Sequence, residues 1–168
     1  MKRIKIMSII AMMLLTGSRM AAQTHTPVTT LQRPKLVVGI VVDQMRWDYL
    51  YRYQKHYTEG GFRRMLSEGY TCENTALPYV PSVTAIGHTC IYTGSVPSIH
   101  GIAGNAFVKD GKIVNCVGDN TMKPVGSDGK AGYMSPRNLW VTTIGDELRL
   151  ATNNRSKVVG VALKDRAA

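Results

Sequence analysis

Thr84 sits inside YVPSVTAIGHTCIYTGSVPSIHGIAGN, residues 79–105, where Pro81 stiffens the approach and small residues follow. The run from Ala85 to Gly94 reads as a loop feeding a short helix, with Thr84 in its first turn. A helix N-terminus presents unpaired N–H groups and the positive end of the macrodipole, which together attract phosphate. A hydroxyl there has two possible uses. It can cap the helix, or it can attack a bound phosphoryl group. Asp43 is either a cap or turn former after the apolar run before it, or a hard carboxylate ligand for zinc or magnesium. Asn105, in GIAGN, reads as a turn residue. Lys164 and Arg166 are either a solvated strand end or two cations on one side of an extended segment, able to clamp phosphate oxygens.

Other candidates carry less. His88, one helical turn past Thr84, reads as a packed or capping histidine, and His100 lies in a loop with no metal partner at useful spacing. Ser95-Val96-Pro97-Ser98 has the outline of a Cys/Ser-x-Pro-x-Arg sulfatase motif, but the arginine is missing and the segment follows the helix, so it is rejected. Cys72, Cys90 and Cys116 form no Cys-x-x-Cys pair, which argues against a cysteine zinc site. In an exported chain they allow one disulfide and one leftover thiol, with no pair chosen.

The elements that must position these residues alternate between strand and helix. Residues 36–42 (LVVGIVV) are continuous and β-branched, as in a strand buried on both faces of a parallel sheet. That puts Asp43 at the carboxyl end of a strand, where open α/β sheets bind ligands. Trp47, Leu50, Tyr53 and Tyr57 follow helical spacing until Gly60-Gly61, and Phe62, Met65 and Leu66 resume it until Gly69. Residues 70–77 are compatible with a strand. Segments 105–108 and 112–116 flank Asp110-Gly111, a hairpin signal. Residues 118–132 read as a loop, Ser135-Pro136 as a turn or helix start, and Ile144, Leu148 and Ala151 as one helical face. Residues 157–163 (KVVGVAL) form a second buried-type strand. The pattern predicts a layered α/β sheet. A crossover helix should follow residue 163, so the chain is expected to be the N-terminal portion of a larger domain.

With 168 residues, 44% hydrophobic and 19% charged, the chain suits one modest globular domain. Residues 1–22 have a basic start, an apolar middle and Ala21-Ala22, the pattern of a secretory signal peptide too short for a stable membrane span. Residues 23–34 read as a linker and 35–168 as the domain. Setting aside Lys2, Arg3, Lys5 and Arg19 leaves 17 basic and 11 acidic residues, and the net charge falls from +10 to +6. The remaining basic residues are scattered, so no nucleic-acid partner is expected. Oligomeric state is not legible.

The segments 41–46 (VVDQMR), 79–88 (YVPSVTAIGH), 100–105 (HGIAGN) and 162–166 (ALKDR) resemble the alkaline phosphatase superfamily. They are closest in kind to its exported bacterial, phosphate-irrepressible, threonine-nucleophile branch, related to type I phosphodiesterases and nucleotide pyrophosphatases. The likeness runs from about Pro34 onward, with the four motifs in order. It implies a three-layer α/β/α alkaline-phosphatase-like sheet, here incomplete, and a periplasmic or secreted location. It also implies hydrolysis of small phosphate monoesters by a two-zinc mechanism through a phospho-threonine. Asp43 would ligate one zinc, and Thr84 would be both nucleophile and ligand. Asn105 would hydrogen-bond a phosphoryl oxygen, with Lys164 and Arg166 completing the grip. The cationic pair favours the monoester dianion over a diester. The remaining Asp and His ligands of that family lie beyond this sequence, so the 168-residue chain is expected to bind zinc poorly and turn over little. The alternatives are a phosphodiesterase or nucleotide pyrophosphatase, and a non-catalytic secreted fragment.

Overall fold

A computed structural model describes residues 33–167. The expected leader, residues 1–22, and most of the expected linker lie outside the described residues. The chain divides into two units, Met1–Gly39 and Ile40–Ala168. Among the described residues of the first, 33–39, there is no helix or strand. The second unit holds every described element and every candidate residue.

Its helices are short. α1 (Tyr49–Arg52) gives way to a 3-10 turn at Gln54–His56, because Tyr53 leaves helical geometry at φ −103°, ψ 12°. The Tyr57 hydroxyl then donates to the Tyr49 carbonyl at 2.7 Å, so the longer helix expected over 47–57 is a folded-back pair of turns. α2 (Phe62–Glu68) starts after Gly61, whose φ of +58° suits a residue without Cβ. α3 spans Thr84–Thr93 and ends on left-handed Gly94, whose N–H returns to the Cys90 carbonyl. The Val80–Pro81 peptide ahead of α3 is cis. α4 (Pro97–His100) opens on proline and closes on left-handed Gly101. α5 (Ile144–Ala151) carries a full capping box, Thr143 Oγ1 accepting from Asp146 N while Asp146 accepts from Thr143 N. No helix among the described residues is long and apolar enough to cross a membrane.

The hairpin forms as expected. β1 (Ala106–Lys109) and β2 (Lys112–Asn115) pair antiparallel around Asp110-Gly111, with Phe107 opposite Val114. Both turn residues have positive φ, as this tight connection requires.

Three expected strands are absent among the described residues. Segments 36–42 and 157–163 carry no ladder, and 70–77 folds into turns. A strand is a paired element, and neither apolar run finds a neighbour to pair with here. Their side chains stay exposed, Leu36 and Val159 among them. In 70–77 the polar run Glu73-Asn74-Thr75 favours a turn, closed by Thr75 Oγ1 donating to the Cys72 carbonyl.

The core is small: Ala85, Ile102 and Cys116, flanked by Phe107, Val117 and Leu139. It joins the start of α3 to the hairpin base. All three cysteines are free, so the disulfide allowed by the sequence does not form.

A polar knot fixes the long loop after β2. The buried Asp119 carboxylate accepts from Ser135 Oγ and Thr121 Oγ1, each at 2.6 Å, from Thr121 N at 3.0 Å and from Arg137 at 3.1 Å. The Ser135 and Thr121 hydroxyls, before Arg137, hold its pKa well below the usual carboxylate range. A carboxylate depressed in the folded state stabilises it above the unfolded pKa and loses that contribution as pH falls. Stability against urea should therefore drop below about pH 4. In Asp119→Asn this acid limb should flatten; an unchanged limb would show that other groups cause it.

Candidate active site

α3 starts abruptly. Val83, its N-cap residue, has extended backbone (φ −85°, ψ 164°) and no side chain able to cap. Thr84 occupies the first helical position, and its hydroxyl does not cap the helix. It donates instead to Asp43 Oδ2 at 3.2 Å, across 41 residues. The cap comes from elsewhere: Asn105 Oδ1 accepts from Ala85 N at 3.0 Å. That bond fixes the orientation of the Asn105 amide, whose NH2 group makes no hydrogen bond among the described residues.

Asp43 Oδ2 is shared. Lys164 Nζ donates to it at 2.5 Å, forming a half-exposed ion pair across 121 residues. The Lys164 hydrogen bond, followed by that from Thr84, lowers the Asp43 pKa against the raising effect of partial desolvation. Gln44, the next residue, is left-handed at φ +61°, so the backbone turns sharply just past the carboxylate.

The site therefore joins four of the five residues expected from sequence. Asp43, Thr84 and Lys164 meet at one carboxylate oxygen, and Asn105 reaches the same helix start. Arg166 lies on a 3-10 turn, Asp165–Ala167, packed against α3, but it makes no hydrogen bond to the other four. Asp165 Oδ1 instead accepts from Arg166 N at 2.7 Å and from Nη1 at 3.3 Å. Arg166 Nε is buried and has no partner among the described residues.

One carboxylate and one hydroxyl oxygen suit a hard or borderline cation such as zinc, as two donors of a larger set. No cluster of three or more His, Cys, Asp or Glu placed to hold a metal occurs among the described residues. Sequence reasoning missed the capping role of Asn105 and the bond from Asp165 to Arg166. The first spans 20 residues and has no local signature; the second was readable only as adjacency. His88 is buried in α3 as expected of a packed histidine, and its Nδ1 is unpartnered among the described residues.

Comparison with known proteins extends this picture. The alkaline phosphatase PafA of Elizabethkingia meningoseptica is 65% identical over 139 residues, covering 81% of this chain and 26% of that protein. A protein of Myroides odoratus named a calcium-transporting ATPase is 59% identical over 138 residues, covering 81% of this chain and 25% of its own. A crystal structure of a PafA variant, substituted at one threonine, one asparagine, one lysine and one arginine, superposes with a TM-score of 0.78 at 62% identity. It covers 80% of this chain and 27% of that one. The chain thus spans about a quarter of the length of these relatives. Its fold is the alkaline-phosphatase-like α/β arrangement over that quarter. The family model for type I phosphodiesterase / nucleotide pyrophosphatase matches residues 37–163, and the chain belongs to that family.

Proposed function

We propose that this sequence carries the nucleophile and phosphate-gripping residues of an exported phosphate-monoester hydrolase, with residues 1–22 directing export to the periplasm or beyond and residues 35–168 forming part of its catalytic domain. The observation that carries this reading is the Thr84 hydroxyl, held at a helix N-terminus by Asp43 instead of being spent on the cap. The PafA variant adds support. Its substituted threonine and asparagine are separated as Thr84 and Asn105 are here, and its lysine and arginine as Lys164 and Arg166.

Asp43 and Thr84 would supply two of the donors to one zinc of a two-zinc site, which when bound would lower the pKa of a hydroxyl and stabilise charge on oxygen. Thr84 Oγ1 attacks phosphorus, the new O–P bond forming as the ester oxygen leaves with its electron pair and takes up a proton. Water then cleaves the phospho-threonine, releasing phosphate and restoring the hydroxyl. Asn105 Nδ2 donates to a non-bridging oxygen, and the positive end of α3 faces the same charge. Lys164 and Arg166 add two cations, which matter most for a dianion. The terminal phosphoryl group of ATP is also a singly substituted phosphate, so the same grip accommodates it. A phosphodiesterase reading is favoured by the family description alone.

In the complete gene product, Thr84→Ala should cut turnover of p-nitrophenyl phosphate by about a thousandfold or more without unfolding. Normal activity would refute the nucleophile assignment. Removing Lys164 and Arg166 together should cost monoesters at least about a hundredfold and bis(p-nitrophenyl) phosphate distinctly less; equal losses would favour the diesterase. Activity removed by chelation should return on adding zinc, but not in Asp43→Asn.

A further inference from the structure

Asn105 meets the start of α3 only if the loop ahead of it is fixed, and that loop begins at His100. His100 is fully buried, at 0% exposure, and both ring nitrogens are engaged. Nδ1 accepts from Ile102 N at 3.1 Å, so that nitrogen carries no proton and the neutral ring is protonated on Nε2. Nε2 lies 3.3 Å from Cys90 Sγ, which places the N–H on the sulfur as acceptor. The His100 carbonyl accepts from Trp140 N at 3.1 Å, and its own N–H donates to the Val96 carbonyl at 3.0 Å.

These bonds give residues 100–105 a register along α3. His100 ties the segment to Cys90 and Asn105 ties it to Ala85, so the loop runs antiparallel to the helix between two fixed points. The Nδ1 bond to Ile102 sets the first bend of the loop, and Ile102 enters the core beside Ala85. A histidine serving only to fill space would not need both nitrogens matched to opposite partners.

We propose that His100 is a positioning residue for Asn105, a buried neutral imidazole that aligns the 101–104 loop with α3 and so delivers the Asn105 amide to the helix start. It rests on the reading of Asn105 as a donor to a phosphoryl oxygen only for its catalytic consequence; the geometric claim stands apart from it.

Amide hydrogen exchange on the 168-residue chain tests the geometry. In His100→Gln, which keeps a donor near Cys90 and loses the acceptor for Ile102, the Ala85 amide should exchange roughly tenfold faster or more, while Gly94 at the far end of α3 is unchanged. If that variant does not fold, Cys90→Ala removes the sulfur acceptor of the His100 N–H, along with its hydrogen bond to Tyr79, and should act in the same direction. An unchanged Ala85 rate, or equal acceleration at Gly94, overturns the proposal. In the complete gene product, His100→Gln should lower kcat/KM for p-nitrophenyl phosphate by about tenfold to a hundredfold, and by little more once Asn105→Ala is present. Equal losses in both backgrounds overturn the catalytic link. A normal rate in Thr84→Ala would instead sink the proposed function and leave the Ala85 result intact.

Discussion

The start of α3 has N–H groups that its own sequence does not satisfy, and much of the surrounding arrangement answers that shortage. Val83 has no polar side chain, and the Thr84 hydroxyl is turned to Asp43. Asn105 must therefore arrive from outside the helix, and the chain between Thr93 and Asn105 has to reverse along α3 to bring it there. The reversal passes through left-handed Gly101, where a Cβ would lie 2.6 Å from the Trp140 ring. Only glycine tolerates both the backbone angle and the indole pressed against it. Separating cap from hydroxyl leaves Thr84 available for chemistry.

The second organising contact is a carboxylate oxygen with two donors. Asp43 takes a hydroxyl from α3 and an ammonium from residue 164, tying the segment after the first apolar run to the segment after the last. Both partners are half exposed, so the pair contributes little net stability in water. Its value lies in register: it brings a nucleophile candidate and a cation to one point. The Asp119 knot does comparable work for a different part of the chain, holding a loop of 15-odd residues with hydrogen bonds in place of regular structure.

Short-range rules were readable in the sequence and long-range ones were not. Asp110-Gly111 announced its hairpin because positive φ at both positions is a local demand, and Gly94 announced the end of α3 for the same reason. The runs at 36–42 and 157–163 read as strands from their unbroken apolar, β-branched composition, but pairing is a property of two segments, and no partner stands beside either in the described residues. The family likeness named five residues, of which Asp43, Thr84, Asn105 and Lys164 come together here; likeness carries spatial information that spacing lacks. Taken by itself, Thr84 looked as much like a cap as a nucleophile. What takes the cap away from Thr84 is the Asn105 amide, 20 residues beyond the Ala85 N–H that it accepts from, and no periodicity points to it.

The contact between Lys164 and Asp43 closes a loop of 121 residues. Loop-closure entropy grows with the logarithm of length, so joining these ends costs about 1.5 kcal/mol more than joining Ala85 to Asn105. The helix–loop clasp can form while the chain is still emerging, whereas the ammonium must wait until residue 164 has been delivered. During synthesis, the threonine and its amide neighbour would be in place well before the cation joins them. A polypeptide built in this order completes the Asp43–Lys164 ion pair as one of its later acts.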